Sequence, residues 1–68
     1  MNGKKLVQVN RGLFISVDKT HKIEYFTIPG GHSAWVIKTL RANGFYFAVD
    51  LAPTLEAARA KYFERAVA

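Results

Sequence analysis

The apolar positions of this chain recur with two periods. Leu13, Ile15 and Val17 alternate with Phe14 and Ser16; Trp35, Ile37 and Thr39 alternate with Val36, Lys38 and Leu40; Phe45, Phe47 and Val49 alternate with Tyr46 and Ala48. A period of two belongs to strands, whose successive side chains point to opposite faces. After Pro53-Thr54 the spacing changes. Leu55, Ala58, Tyr62 and Ala66 stand at i, i+3, i+7 and i+11, one stripe of a helix, widened by Phe63. The pattern predicts strands at about 5–9, 13–17, 23–28, 34–40 and 45–49, then a helix at about 54–66.

Turn chemistry separates these segments. Asn10-Arg11-Gly12 suits a three-residue turn, Asp18-Lys19-Thr20-His21 is polar, and Pro29-Gly30-Gly31 stops the third strand. Asn43-Gly44 predicts a type I′ hairpin, with positive φ at both residues. Thr54 is placed to cap the helix, Glu56 complements the positive end of its dipole, and Lys61 and Arg65 lie toward the other end. Short loops between strands imply antiparallel neighbours. The expected fold is a single α+β domain: an antiparallel meander of three to five strands packed on one C-terminal helix. One helix shields only part of such a sheet, and both faces carry apolar or aromatic residues. Some of that surface is therefore left for a partner or for a second copy of the chain.

Size and composition narrow the options. A chain of 68 residues makes one domain, and folds of this size bury only about 60% of the surface the unfolded chain exposes. There is no Cys, so nothing argues for an oxidising compartment. His21 and His32 read as exposed loop residues and cannot close a zinc site alone; no metal or cofactor is expected. The apolar half of the composition, with one Trp, three Tyr and five Phe, must supply the core, or a homodimer must share one. The basic start Met1-Asn2-Gly3-Lys4-Lys5 is not followed by the apolar run of a signal peptide. No run approaches the roughly 20 residues of a membrane span. A cytoplasmic protein with no membrane partner is the expectation.

Charge points to a partner. The formal net charge is +5, and its surplus is uneven. Lys4, Lys5, Arg11, Lys19, Lys22, Lys38 and Arg41 face only Asp18 and Glu24 before residue 43, whereas Arg59, Lys61 and Arg65 are balanced by Asp50, Glu56 and Glu64. Such a bias favours nucleic acid or an acidic protein surface. Enzymatic chemistry finds no footing, because there is no carboxylate pair, no phosphate loop before a helix and no nucleophile with an evident base.

Residues 33–68 resemble two related kinds of DNA-binding domain, each a three-stranded sheet on one helix. These are the plant ethylene-response-factor (APETALA-type) domain and the arm-binding domains of phage integrases. Ala34-Trp35-Val36-Ile37-Lys38, Phe45-Tyr46-Phe47, Thr54 and the run Glu56-Ala57-Ala58-Arg59-Ala60 carry the resemblance. It implies a sheet face laid on DNA, with Lys38 at a basic-contact position. Tyr25, Phe26 and Thr27, and Phe45 to Phe47, stand where the family shows arginines. Phosphate contacts are thus expected in place of bidentate reading of guanine. The expected function is nucleic-acid binding, with DNA the first candidate. Lys38 and Arg41 would hold phosphates, Lys19, Lys22 and Arg11 would support them, and Tyr46 or Tyr25 would touch bases or sugars. The alternative is a small inhibitor or adaptor of the kind phages and mobile elements encode, docking its sheet on an acidic host-protein surface, alone or as a homodimer.

Overall fold

The segments of period two become strands that pair in chain order. A computed structural model describes the backbone of residues 2–67 and the side chains of residues 3–65. A 3-10 turn at Asn2–Lys4 is followed by β1 (Leu6–Asn10), β2 (Leu13–Ser16), β3 (His21–Ile28), β4 (His32–Leu40), β5 (Tyr46–Ala52) and α1 (Leu55–Val67). Every neighbouring pair is antiparallel, in the order β1-β2-β3-β4-β5. The architecture is α+β, with a five-stranded antiparallel sheet and one C-terminal helix. No helix among the described residues is long and apolar enough to cross a membrane.

The β4–β5 hairpin differs from the expected type I′ turn. Gly44 has φ 89°, but Asn43 does not enter the left-handed region. The Gly44 N–H donates to Arg41 O at 2.9 Å and the Arg41 N–H to Phe45 O at 2.8 Å, a three-residue loop with glycine at its positive-φ position. Asn43 Oδ1 instead accepts the Phe45 N–H at 3.0 Å, the side-chain turn that Asn favours. In the β3–β4 turn Pro29 precedes Gly30 at φ 106°, and the Gly31 N–H donates to Ile28 O at 3.3 Å. That is a type II turn, which demands glycine third.

Register decides which face becomes core. Phe14 pairs with Ile23, and Ile23 with Ile37, so these three point the same way. With Ala52 of β5 and Ala58 and Tyr62 of α1 they make one buried cluster, flanked by Leu6, Trp35, Val49, Leu55 and Ala57. Leu13 and Ile15, whose alternation looked like a core face, lie on the opposite side. β5 runs on through Asp50 and Leu51, past the residue-49 end expected, because Asp50 is satisfied there. It accepts the Leu51 N–H at 2.8 Å and pairs with Lys61 at 3.3 Å and Arg65 at 3.4 Å. Thr54 caps α1 as expected, its Oγ1 accepting the Ala57 N–H at 3.1 Å. Leu55, Ala58 and Tyr62 of the helical stripe face the sheet; the side chain of Ala66 lies outside the described residues.

A polar lock closes the same side of the molecule. Asp18 accepts from Ser16 Oγ at 2.7 Å, Thr20 Oγ1 at 2.6 Å and the Thr20 N–H at 3.1 Å, and pairs with Lys4 at 2.9 Å. The hydroxyls of Thr20 and Ser16, then Lys4, hold its carboxyl well below the usual range. Ser16 is buried without penalty because its Oγ also accepts the His21 N–H at 3.1 Å. Tyr62 donates its hydroxyl to Lys4 O. His21 is no loop residue; it begins β3 and sets its ring edge-on to Tyr62, centroids 5.3 Å apart.

Burial, then Lys4, lowers the His21 pKa below its usual 6.5, with Asp18 opposing. The unfolded chain therefore takes up this proton more readily than the folded one. Its contribution to stability is full above pH 6.5 and is lost as pH falls through that value. The Asp18 contribution is full above 3.8 and is lost only at lower pH. Thermal midpoints should fall between about pH 7 and pH 5 in the parent chain. In His21→Gln that step should flatten while the acid step remains; an unchanged profile in the variant would remove His21 as the cause.

Candidate nucleic-acid interface

The sheet face turned away from α1 carries no second layer among the described residues. Cross-strand register places Leu13, Ile15, Lys22, Glu24, Phe26 and Ile28 on it, with Val36, Lys38 and Leu40 from β4. β5 adds Tyr46 and Ala48, and then Leu51, because a bulge between the partners of Ile37 and Lys38 inserts Val49 and reverses the alternation. Val36, only 8% exposed, is the floor of a groove of about 540 Å³ between Phe26, Ile28, Ala48 and Leu51. Phe26 is 50% exposed and Leu51 52%. Glu24 and Lys38 close the groove at one end, joined at 2.8 Å.

Beyond that ion pair the face turns basic. Lys22 and Lys38 are direct cross-strand partners, an arrangement that like charges disfavour. They part in opposite directions: Lys38 reaches Glu24, and Lys22 sits 4.1 Å from the centroid of the Tyr46 ring. The antiparallel order brings the start of β1, the turn after β2 and the hairpin after β4 to this same end. The Leu40 N–H donates to Thr20 O at 2.8 Å, and Tyr46 donates its hydroxyl to Lys19 O at 2.6 Å. Lys5, Lys19, Lys22 and Arg41 thus gather at one end, and none of them makes an ion pair among the described residues. Arg41 lies 4.9 Å from the Phe47 ring centroid. Lys19 is the one non-glycine residue described with positive φ, at 62°. A left-handed conformation costs an L residue roughly 1–2 kcal/mol relative to glycine, so a lysine is held here against backbone preference.

The seven residues singled out in the sequence fall in two places. Lys19, Lys22, Lys38, Arg41 and Tyr46 share the basic end. Arg11 lies at the opposite end, in the β1–β2 turn, and Tyr25 is on the helix side with its ring edge-on to Trp35 at 5.2 Å. Arg11, Gly12, Tyr25 and Trp35 line a separate shallow hollow there. The open-face aromatic of β3 is Phe26, next in sequence to Tyr25; strand parity cannot be counted without the register. Lys38 is not a free cation, since Glu24 holds it.

The sheet edges also differ. On β5 the carbonyls of Leu51 and Val49 accept from Lys61 at 2.9 Å and Arg65 at 3.3 Å, which blunts that edge against strand pairing. β1 is short, with a register shift between Gln8 and Asn10. The helix cations Lys61 and Arg65 are committed to β5; Arg59 is the helix cation without an ion pair among the described residues, and it lies on the side away from the open face. The chain matches no protein-family model, no curated protein and no solved structure.

Proposed function

We propose that the chain binds nucleic acid across the open face of its sheet, with DNA the first candidate. The observation that carries this reading is the gathering of Lys19, Lys22 and Arg41, without ion pairs among the described residues, beside Tyr46 at the edge of an uncovered face. These three cations would neutralise phosphates, and Lys38 would join them when a phosphate displaces Glu24. Lys22 occupies one face of the Tyr46 ring, so a base or sugar would meet the ring at its other face or its edge. Arg11 and Tyr25 are too far round the fold to act with them. The resemblance of residues 33–68 to sheet-on-helix DNA-binding domains belongs to the same reading, with β3 as the third strand of that unit.

The test is fluorescence anisotropy of a labelled oligonucleotide as salt is raised. Binding through three or four phosphates gives a log–log slope of about −0.9 per phosphate, near −3 in total. Lys19→Gly removes one contact and relieves the positive φ. It should fold with stability unchanged or up to about 1 kcal/mol higher, while the slope flattens by about 0.9. A salt-independent affinity, or no binding at low salt, would sink the reading.

A second reading has its own observation. The apolar groove of Phe26, Ile28, Val36, Ala48 and Leu51 suits an apolar side chain, and the basic end suits carboxylates. An inhibitor or adaptor docking on an acidic protein face, or a homodimer, would use the same surface.

A further inference from the structure

We infer that the occupant of the groove is a single-stranded nucleic acid whose bases, and not its phosphates alone, touch the protein. The inference rests on the nucleic-acid reading above and narrows it. A duplex hides its base faces in its own stack and offers phosphates and groove edges. It has nothing to lay against Phe26, Val36 and Leu51. A single strand presents charge and π-faces together, which is what this face offers in return: cations at one end, an apolar groove with an exposed ring at the other.

The two ends lie on one line. Lys22 and Phe26 are four residues apart on β3 and point the same way, so about 13 Å separates their levels at about 3.3 Å per residue. A strand held by a phosphate at Lys22 would run along β3 and β4 and bring bases over the groove within a few nucleotides. The carboxylate of Glu24 lies between, paired to Lys38 at 2.8 Å, so the line is cationic at its end and neutralised in its middle, where bases would pass. Charge complementarity also speaks against a second copy as occupant. Two faces each carrying Lys22, on chains of net charge +5, repel one another.

The experiment uses the full 68-residue chain and three labelled probes at low salt. One is a mixed-sequence single strand, the second is that strand annealed to its complement, and the third is the same strand with abasic sites through its middle. The intact single strand should bind at least about tenfold tighter than the duplex, and the abasic strand should lose about fivefold or more for each stacked base. Phe26→Ala should weaken the intact strand and leave the abasic strand unchanged; an unchanged thermal midpoint shows that the variant is folded. Equal affinity for duplex and single strand, or for intact and abasic strands, overturns the inference and leaves phosphate binding standing. Binding to none of the probes overturns both. A dimeric mass by light scattering at the assay concentration, lost in Phe26→Ala, gives the groove to a second copy and overturns the inference as well.

Discussion

Ile37→Ala should cost about 2–5 kcal/mol of stability, the range for removing a buried branched side chain and leaving part of its volume empty. Ile37 is fully buried at the centre of the sheet, against Ile23 and under the helix residues Ala58 and Tyr62. Total stability for a chain this long is only roughly 3–10 kcal/mol, so the variant should be partly unfolded in water at room temperature. Leu51→Ala removes a side chain of similar size next to the core position Ala52 but on the open face, where it is 52% exposed. It should cost no more than about 1 kcal/mol. Urea midpoints followed by circular dichroism compare the two. If Leu51→Ala proved as damaging as Ile37→Ala, the open face would have to be covered in solution.

That contrast marks where the sequence stops being legible. The strand positions, the order of pairing, the places of the loops and the Thr54 cap follow from local chemistry: alternation, turn residues between the apolar runs, a hydroxyl before the helix. The choice of core face does not. Leu13 and Ile15 are as apolar as Phe14, and Ser16 looks like a surface residue. Ser16 is inside because Asp18 and the His21 N–H satisfy its hydroxyl, a fact of the folded turn and not of the residue type. Parity along β5 is also hidden. Without the bulge Leu51 would share a face with Phe47 and Val49; with it, Leu51 joins Tyr46 and Ala48 on the open side. Which of the neighbours Tyr25 and Phe26 turns to the open side is hidden in the sequence for the same reason.

The charge pattern was half legible for a related reason. A surplus before residue 43 is a matter of counting, but which cations are spent is a matter of packing. Lys4 is taken by Asp18 and Lys38 by Glu24. Arg11, counted with the others, is carried to the far end by the first hairpin. What remains at the open face is Lys22, with Lys19 in the adjoining turn and Arg41 against the Phe47 ring at the same end of the sheet.

Opposite charge changes on that face should therefore move binding in opposite directions. With a slope of about −0.7 per phosphate of a single strand, one contact is worth about eightfold between about 1 M and about 0.05 M salt. Lys22→Glu with Arg41→Glu removes two contacts and should weaken low-salt binding by about 60-fold or more. Glu24→Gln does the reverse. It releases Lys38 from its 2.8 Å partner and leaves that lysine facing Lys22 across the strands, where an incoming phosphate relieves the repulsion between them. Affinity at low salt should rise, and the salt slope should steepen by about 0.7. Surface ion pairs of this kind contribute only about 0–1 kcal/mol to folding, so circular dichroism and melting should change little in any of these variants. If Glu24→Gln weakened binding along with the double reversal, the ligand would be held by the Glu24–Lys38 pair as a polar unit, and phosphate capture by the basic end would be wrong.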